Sequence, residues 1–127
     1  MGRRFLFDTN TVIYLINKQL PIEAFGFVSS IQTVYLSVIS EVELLGWAAP
    51  NPTDGLLYQA FVSKSVLIDI NRPIIEKAIE IRRTYKLKTP DAIIAATVLV
   101  HNLTLISRND KDFQRIKKLK YTNPFNL

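Results

Sequence analysis

The 127-residue chain contains no cysteine and only one histidine, one methionine and four glycines. The absence of cysteine excludes disulfides and thiolate-bound zinc, and it is compatible with a reducing compartment. The longest apolar stretch covers residues 92–100, far short of the roughly 20 residues of a membrane-spanning helix. Asp8 interrupts the apolar run after Arg3 and Arg4, so no signal peptide is recognisable. We therefore expect a cytoplasmic protein with no membrane association.

What the chain does contain fits one globular domain. Hydrophobic residues make up 48% of a chain of 14.5 kDa. That is enough for one core, so we expect residues 1–127 to form a single domain. The formal net charge of +5 suits a polyanionic partner such as nucleic acid. Ordinary surface lysines would explain the same charge, and from charge alone this is the simpler interpretation.

Strand-like and helix-like segments alternate along the chain. β-Branched and aromatic residues predict strands, and apolar residues at helical spacing predict helices. The predicted strands cover residues 4–7, 33–38, 65–70 and 103–107. The predicted helices cover residues 11–18, 40–48, 55–64, 72–86, 90–102 and 111–119, with a turn at 51–55. This alternation predicts an α/β fold with a parallel sheet, in which sites form at the carboxyl ends of the strands.

Acidic residues stand just after the predicted strands or at the start of the buried helix. In chain order they are Asp8, Glu41 or Glu43, Asp91, and a last group of Asn109, Asp110 and Asp112. Carboxylates gathered on one rim repel each other unless a cation neutralises them. Oxygen ligands without cysteine or a second histidine suit Mg²⁺ or Mn²⁺, which can activate water for attack on a phosphodiester. Among the basic residues, we expect Arg108 and Lys111 to contact such a substrate, because they flank the rim.

Each acidic residue also has a structural explanation. Ser40 and Glu43 fit a capping box at a helix start. Thr89 and Asp91 fit a helix cap and a favourable first-turn charge, and the aspartates after the last strand lie in a turn. Asp8 could cap the helix that begins near residue 11, but its neighbours Thr9 and Asn10 could do so equally well. Asp8 is therefore the acidic residue that structural explanations account for least.

Three blocks of the sequence, "FLFDTNTVIYLI", "LSVISEVELLG" and "KTPDAIIAATVLVHNLTLISRNDKDF", resemble PIN-domain ribonucleases. They are most similar to VapC-like toxins of bacterial and archaeal toxin–antitoxin pairs, in family order and at family-like spacing. The resemblance implies a single PIN-like α/β domain, with a central parallel sheet and helices on both faces. It also implies a Mg²⁺- or Mn²⁺-dependent endoribonuclease with an RNA substrate, a cognate antitoxin and a homodimeric state.

The resemblance assigns roles to individual residues of the first two blocks and the buried helix. Asp8 matches the first-strand aspartate, Glu43 the glutamate after the second strand, and Asp91 the aspartate before the buried helix. Thr9 and Asn10 match polar residues that orient the first aspartate. The aspartates would bind the metal directly or through water, and Glu43 would bind it or position the attacking water.

Two positions fit the family pattern less regularly. Gly46 stands slightly early after Glu43, so Glu41 remains a weaker candidate for the same role. At the fourth acidic position the resemblance favours Asp112. Asn109 would then orient it or bind water, and Asp110 would be a possible substitute ligand.

Three other functions are compatible with part of the sequence. A receiver-type signalling domain also holds Mg²⁺ at strand ends, but its first strand should end in an acidic pair, and here Thr9 follows Asp8. A haloacid-dehalogenase-like phosphatase needs an aspartate where this chain has Asn10. A non-catalytic member of the PIN fold that binds RNA or protein would keep the fold without turnover.

Overall fold

The computed structural model of this chain describes residues 3–47 and 51–127. Within these residues, five β-strands and seven α-helices form. The strands are β1 (Phe5–Phe7), β2 (Val34–Ser37), β3 (Val66–Ile68), β4 (Thr104–Ile106) and β5 (Tyr121–Thr122). The helices are α1 (Thr9–Ile16), α2 (Ile22–Ser29), α3 (Val38–Gly46), α4 (Pro52–Lys64), α5 (Arg72–Tyr85), α6 (Thr89–His101) and α7 (Asp110–Phe113). A short 3-10 helix, Pro124–Asn126, follows β5.

All strand pairs in the sheet are parallel, in the order β3-β2-β1-β4-β5. The α/β fold with a central parallel sheet is therefore confirmed. From β1 the chain builds outward through β2 to β3, then returns past β1 to add β4 and β5. The strand order reverses between β1 and β4, and ligand sites in such sheets form at the carboxyl ends of the strands beside this reversal.

Two hydrophobic clusters cover the two faces of the sheet. Alternate residues of one strand point to opposite faces, and accordingly Leu6 belongs to one cluster while the adjacent Phe7 belongs to the other. The Leu6 cluster includes residues of α5 and α6, and the Phe7 cluster includes residues of α1, α2, α3 and α4. The prediction of helices on both faces is confirmed. The strands lie between two packed layers of helices, which fix the carboxyl ends of the strands in place.

Asparagine residues begin two of the long helices. Asn51 accepts a hydrogen bond from the backbone N–H of Asp54, and Asn71 does the same for Ile74. The predicted turn at 51–55 is therefore wrong, because its residues form the cap and first turn of α4. None of the helices in the described ranges combines the length and the apolar character that a membrane crossing requires.

The other differences from the predicted elements have local causes. α2 was not predicted, because its residues lack a side-chain N-cap and carry Gly26 mid-helix. β5 was not predicted, because it has only two residues and depends on pairing with β4. The helix predicted over 111–119 is wrong in extent: α7 ends at Phe113, and Lys118 has a φ of 67°, in the left-handed region. α3 begins at Val38 rather than 40, and its predicted end at residue 48 lies outside the described residues.

Lys86 ends α5 in the left-handed region, with φ 58° and ψ 38°, which is unfavourable for a residue with a Cβ. We expect Lys86→Gly to raise the free energy of unfolding by about 0.5–1 kcal/mol, because glycine adopts this conformation without strain. Urea denaturation at equilibrium measures the change. Lys86→Ala is the matched control: it removes the same charge but keeps the Cβ, so an equal gain in the alanine variant would contradict this explanation.

Candidate active site

Asp8 lies directly after β1, beside the reversal of strand order. Its Oδ1 accepts a hydrogen bond from the Thr11 backbone N–H at 2.9 Å and lies 2.6 Å from Thr11 Oγ1. The Thr11 hydroxyl also lies 2.8 Å from the Ile106 carbonyl oxygen at the end of β4. Asp8 is thus the N-cap of α1 and is tied through Thr11 to the neighbouring strand.

The Asp8 side chain is buried, with 9% of the residue exposed. Burial raises the pKa of Asp8 above its ordinary value, because the charged form loses hydration. Hydrogen bonds from Ser107 and Thr11 lower the pKa in part, whereas the nearby charge of Glu43 raises it further. The cap alone does not offset the cost of keeping this carboxylate charged.

Glu43 is held at the site by Thr9, the residue that follows Asp8. Thr9 Oγ1 lies 2.9 Å from Ser40 Oγ and also contacts Glu43 Oε1. A hydroxyl has one proton and a carboxylate only accepts, so Thr9 donates to Glu43 and accepts from the buried Ser40. The capping box of Ser40 and Glu43 is therefore wrong, since α3 is capped by Ser37, whose Oγ accepts from the Ile39 N–H.

Asp91 lies in the first turn of α6. The N-cap position belongs to Lys88, which makes no side-chain cap, so the interpretation of Thr89 as the cap is wrong. Burial raises the pKa of Asp91, and the charges of Asp112, Asp8 and Glu43 raise it further, against a smaller opposing effect of Lys88. Three other carboxylates therefore act electrostatically on this one side chain.

Asp8, Glu43 and Asp91 line one cleft of about 490 Å³ at this edge of the sheet. The other lining residues are Thr9, Asn10, Ile13, Val42, Gly46, Trp47 and Ile94. Glu41 is not among them, which favours Glu43 over Glu41 as the glutamate of the site. Three carboxylates from three elements distant in sequence thus face the same space.

The loop after β4 places its acidic residues differently. Asn109 caps α7 by accepting from the Asp112 N–H, and its Nδ2 donates to Asp112 Oδ2 at 2.9 Å. Asp112 Oδ1 also lies 3.7 Å from Arg115 Nη2. The charge of Asp112 therefore raises the pKa of Asp91, but Asp112 is not among the residues that line the main cleft.

Asp110 is engaged by the C-terminal segment. Its Oδ1 accepts from the Tyr121 hydroxyl at 2.7 Å, and its Oδ2 accepts from Asn123 and Asn126. The Tyr121 hydroxyl lowers the pKa of Asp110, while burial and this carboxylate raise the pKa of Tyr121 to about 12. Both oxygens of Asp110 have structural partners, so we leave it out of the proposed ligand set.

Arg108 and Lys111 remain exposed near this edge. The Arg108 guanidinium stacks on the rings of Tyr14 and Phe125, and it lines a second, smaller cleft together with Asp8. Lys111, in contrast, is an exposed residue of α7.

Several site residues were not found from the sequence. The resemblance assigned the orientation of Asp8 to Thr9 and Asn10, but its partners are Thr11 and Ser107, while Thr9 holds Glu43. Buried hydroxyl residues directly after strands, such as Ser107 after β4, were the available signal. Such residues carry no motif of their own, so only the three-dimensional contacts reveal them.

The donor set fits a hard divalent cation held partly through water. Within residues 3–47 and 51–127, no three acidic or histidine side chains stand close enough together to ligate an ion directly. Mg²⁺ usually binds through one or two carboxylates and keeps several waters, so it does not require a complete protein cage. The neighbouring carboxylates raise the pKa of Asp91, and a divalent cation bound to these oxygen donors would neutralise their charge.

Residues 5–119 match the family model described as PIN domain. The chain belongs to the PIN domain family. PIN domains are a family of nucleases, so the chain is assigned to the hydrolases in general. A search of curated proteins finds no significant match.

Solved structures resemble this PIN domain over nearly its whole length. A chain of a toxin–antitoxin complex from Klebsiella pneumoniae is 34% identical, with a TM-score of 0.77 over 94% of this chain and 96% of the other. FitAcB from Neisseria gonorrhoeae is 26% identical, with a TM-score of 0.76 over 97% and 99%. VapBC2 from Rickettsia felis, bound to a DNA fragment from its promoter, is 24% identical and supports the fold, with a TM-score of 0.79 over 94% and 97%. The resemblance to VapC-like PIN toxins is confirmed.

Because the pKa of Asp91 is raised in the folded protein, this carboxylate should destabilise the metal-free protein at neutral pH. We expect Asp91→Asn to raise the free energy of unfolding at pH 7 by up to about 1 kcal/mol, since solvent screening and the favourable helix-dipole position both limit the effect. Asp91 holds its proton more tightly in the folded state than in the unfolded state. The wild type therefore loses stability relative to the variant as pH rises from the ordinary pKa of 3.8 through the raised pKa of folded Asp91. Below the ordinary pKa of 3.8 the difference should vanish.

Urea denaturation at several pH values and low ionic strength, with a chelator present, measures this difference. Asp69→Asn is the matched control, because Asp69 is exposed and lies outside the cleft. A wild-type protein that is more stable than Asp91→Asn at pH 7 would contradict the stated balance of charges.

Proposed function

We propose that this PIN domain, spanning residues 1–127, is a metal-dependent endoribonuclease and the toxin of a toxin–antitoxin pair. The observation that carries the proposal is the cleft in which Asp8, Glu43 and Asp91 meet at the reversal of strand order. The charges of Asp8, Glu43 and Asp112 all raise the pKa of Asp91, and Lys88 opposes them only in part. A metal-dependent nuclease uses such a site to hold the ion that activates water for attack on a phosphodiester.

We assign the ligand positions to Asp8, Asp91 and Glu43, with Asp112 as a charge at the edge of the cleft. A bound Mg²⁺ or Mn²⁺ would supply an activated water and stabilise the negative charge that develops on the phosphoryl oxygens. Asp8 is held in one orientation by Thr11, and Glu43 is held by the Thr9 hydroxyl. Glu43 is the most exposed of the three carboxylates, which suits a role in positioning the attacking water.

RNA as the substrate rests on the resemblance and on charge. The net charge of +5 persists although the cleft itself is acidic, so the basic residues must lie on surrounding surfaces. A polyanion can therefore be attracted by the surroundings and meet a bound cation in the cleft.

We further propose an antitoxin partner and a homodimeric state. The Klebsiella pneumoniae relative was solved in a toxin–antitoxin complex. In this chain, large apolar side chains stay exposed on α3, α4 and the adjoining cleft rim: Val42, Leu45, Trp47, Leu56 and Leu57. Exposed apolar surface beside a functional cleft is typical of a protein interface, so a partner seated there would also block the cleft.

We expect the purified protein to cleave RNA with Mg²⁺ or Mn²⁺ and to lose this activity when a chelator is added. Asp91→Asn and Glu43→Gln should each reduce cleavage about 100-fold or more, because each removes a charge from the metal site. Gel analysis of labelled total RNA and transfer RNA measures the activity. Glu41→Gln is the matched control, since Glu41 lies on the same helix but outside the cleft, and it should retain wild-type activity.

The outcomes separate the proposal from its alternatives. Metal-independent cleavage, or equal activity in wild type and Asp91→Asn, would rule out this site as the source of activity. Metal binding and RNA binding without any cleavage would favour the non-catalytic member of the fold.

We also expect Mn²⁺ to stabilise the protein through the same carboxylates. At a concentration well above the dissociation constant, it should raise the melting temperature of the wild type by about 5–10 °C, because only the folded state presents the site. The shift should be much smaller in Asp91→Asn and should be reversed by a chelator. Differential scanning fluorimetry measures it, and equal shifts in the two proteins would place the ion elsewhere.

A further inference from the structure

Arg108 stands directly after β4, with an aromatic surface behind it. Its guanidinium carbon lies 4.0 Å from the ring centroid of Phe125 and 5.6 Å from that of Tyr14. The two rings lie 5.2 Å apart at 76°, edge to face. Arginine stacked on an aromatic face keeps its in-plane N–H donors free for other partners.

Within the part of the chain that the structure describes, this arginine has no acidic partner. Among residues 3–47 and 51–127, no carboxylate lies within ion-pair distance of its guanidinium, although the acidic cleft is nearby. An arginine whose role was to neutralise that cleft would be paired with one of its carboxylates. Arg108 instead presents an exposed positive charge and a donor edge.

The aromatic surface is fixed by the C-terminal segment. Asp110 accepts hydrogen bonds from Tyr121, Asn123 and Asn126, which flank Phe125 in sequence. Asn123 also donates to the Arg108 carbonyl oxygen at 3.3 Å. Phe125 is thereby ordered before any ligand arrives, so a ligand of Arg108 would not incur the cost of ordering it.

A second cleft of about 260 Å³ joins Arg108 to the catalytic edge. Its lining residues are Asp8, Asn10, Tyr14, Arg108 and Asn109. Asp8 lines both clefts, so an RNA strand bound in the first cleft can continue into the second. The second cleft offers the guanidinium of Arg108 and the amide of Asn10 as donors suited to an anionic phosphate, whereas Asn109 Nδ2 already donates to Asp112.

We propose that Arg108, backed by Phe125 and Tyr14, binds a backbone phosphate of RNA adjacent to the one that is cleaved. This inference rests on the proposed function and deepens it, because it names where the substrate strand leaves the catalytic cleft. Arg108 is a positioning residue: it holds the strand in register and takes no part in the chemistry at the reacting phosphate.

The test measures RNA binding by Arg108→Gln in the Asp91→Asn background, in which cleavage is suppressed. The probes are total transfer RNA and a fluorescein-labelled single-stranded RNA of random sequence, followed by fluorescence anisotropy and filter binding over a range of salt. We expect Arg108→Gln to weaken binding roughly tenfold, as for loss of a charge-assisted hydrogen bond. We also expect the slope of log affinity against log salt to shrink by about 0.7, the value for one phosphate contact on a single strand.

Arg83→Gln is the matched control, because Arg83 is an exposed arginine of α5 that lines neither cleft. It removes the same charge and should leave the affinity and the salt slope close to those of the parent. Equal losses in the two variants would show a general charge effect and overturn the inference.

Two further variants test the aromatic support. Arg108→Lys keeps the charge but not the planar donor edge, and Phe125→Leu keeps an apolar contact but not the ring. Each should weaken binding less than Arg108→Gln, and in the cleavage assay each should raise KM more than it lowers kcat. Circular dichroism checks folding, and since Arg108 is exposed, Arg108→Gln remains informative if Phe125→Leu does not fold.

The outcomes also distinguish this inference from the proposed function. If the parent protein binds RNA and Arg108→Gln binds it equally well, the phosphate subsite is overturned while the nuclease proposal stands. If the parent binds no RNA, the subsite is overturned, whereas metal-dependent cleavage by the wild type still decides the nuclease proposal. If binding depends on Arg108 but no metal-dependent cleavage is found, the subsite stands in an RNA-binding protein and the nuclease proposal fails.

Discussion

The burial of one carboxylate at the carboxyl end of the central strand is the constraint on which the rest of the site depends. Burying Asp8 is costly unless its oxygens are hydrogen-bonded. The Thr11 N–H donates to Asp8 Oδ1, and the Thr11 hydroxyl lies close to both that oxygen and the Ile106 carbonyl oxygen of the next strand, which offsets part of this cost. The start of α1, the end of β1 and the end of β4 are therefore held in one arrangement, which sets the floor of the cleft.

The fold also tolerates electrostatic repulsion between the carboxylates of the site. Glu43 and Asp91 approach Asp8 from α3 and α6, although the charge of Glu43 raises the pKa of Asp8 and the charges of Asp8 and Glu43 raise the pKa of Asp91. The burial of two apolar clusters, one on each face of the sheet, stabilises the fold against this repulsion. A divalent cation that binds only the folded protein would relieve this repulsion and stabilise the fold. The repulsion between carboxylates in the metal-free state would therefore contribute to the affinity for the cation.

The fold was largely predictable because its strongest signals are local. Alternating strand and helix patterns led to the parallel sheet, whereas β5, with two residues held only by pairing, has no local signal. At the site, the sequence singled out Asp8, Glu43 and Asp91, which the structure brings to one cleft. It did not find what orients them, because contacts such as Thr9 with Glu43 join residues far apart in sequence.

Trp47 is the only tryptophan of the chain, and it stands at the rim of the main cleft with 44% of the residue exposed. Its ring centroid lies 5.9 Å from that of Tyr58, which is fully buried beneath it. The molecule therefore carries a single long-wavelength fluorophore at the mouth of its acidic cleft, next to a tyrosine close enough to transfer excitation to it. Intrinsic emission from this protein is in effect a local optical signal of that mouth, and of whatever enters or covers it, against a background free of other indole rings.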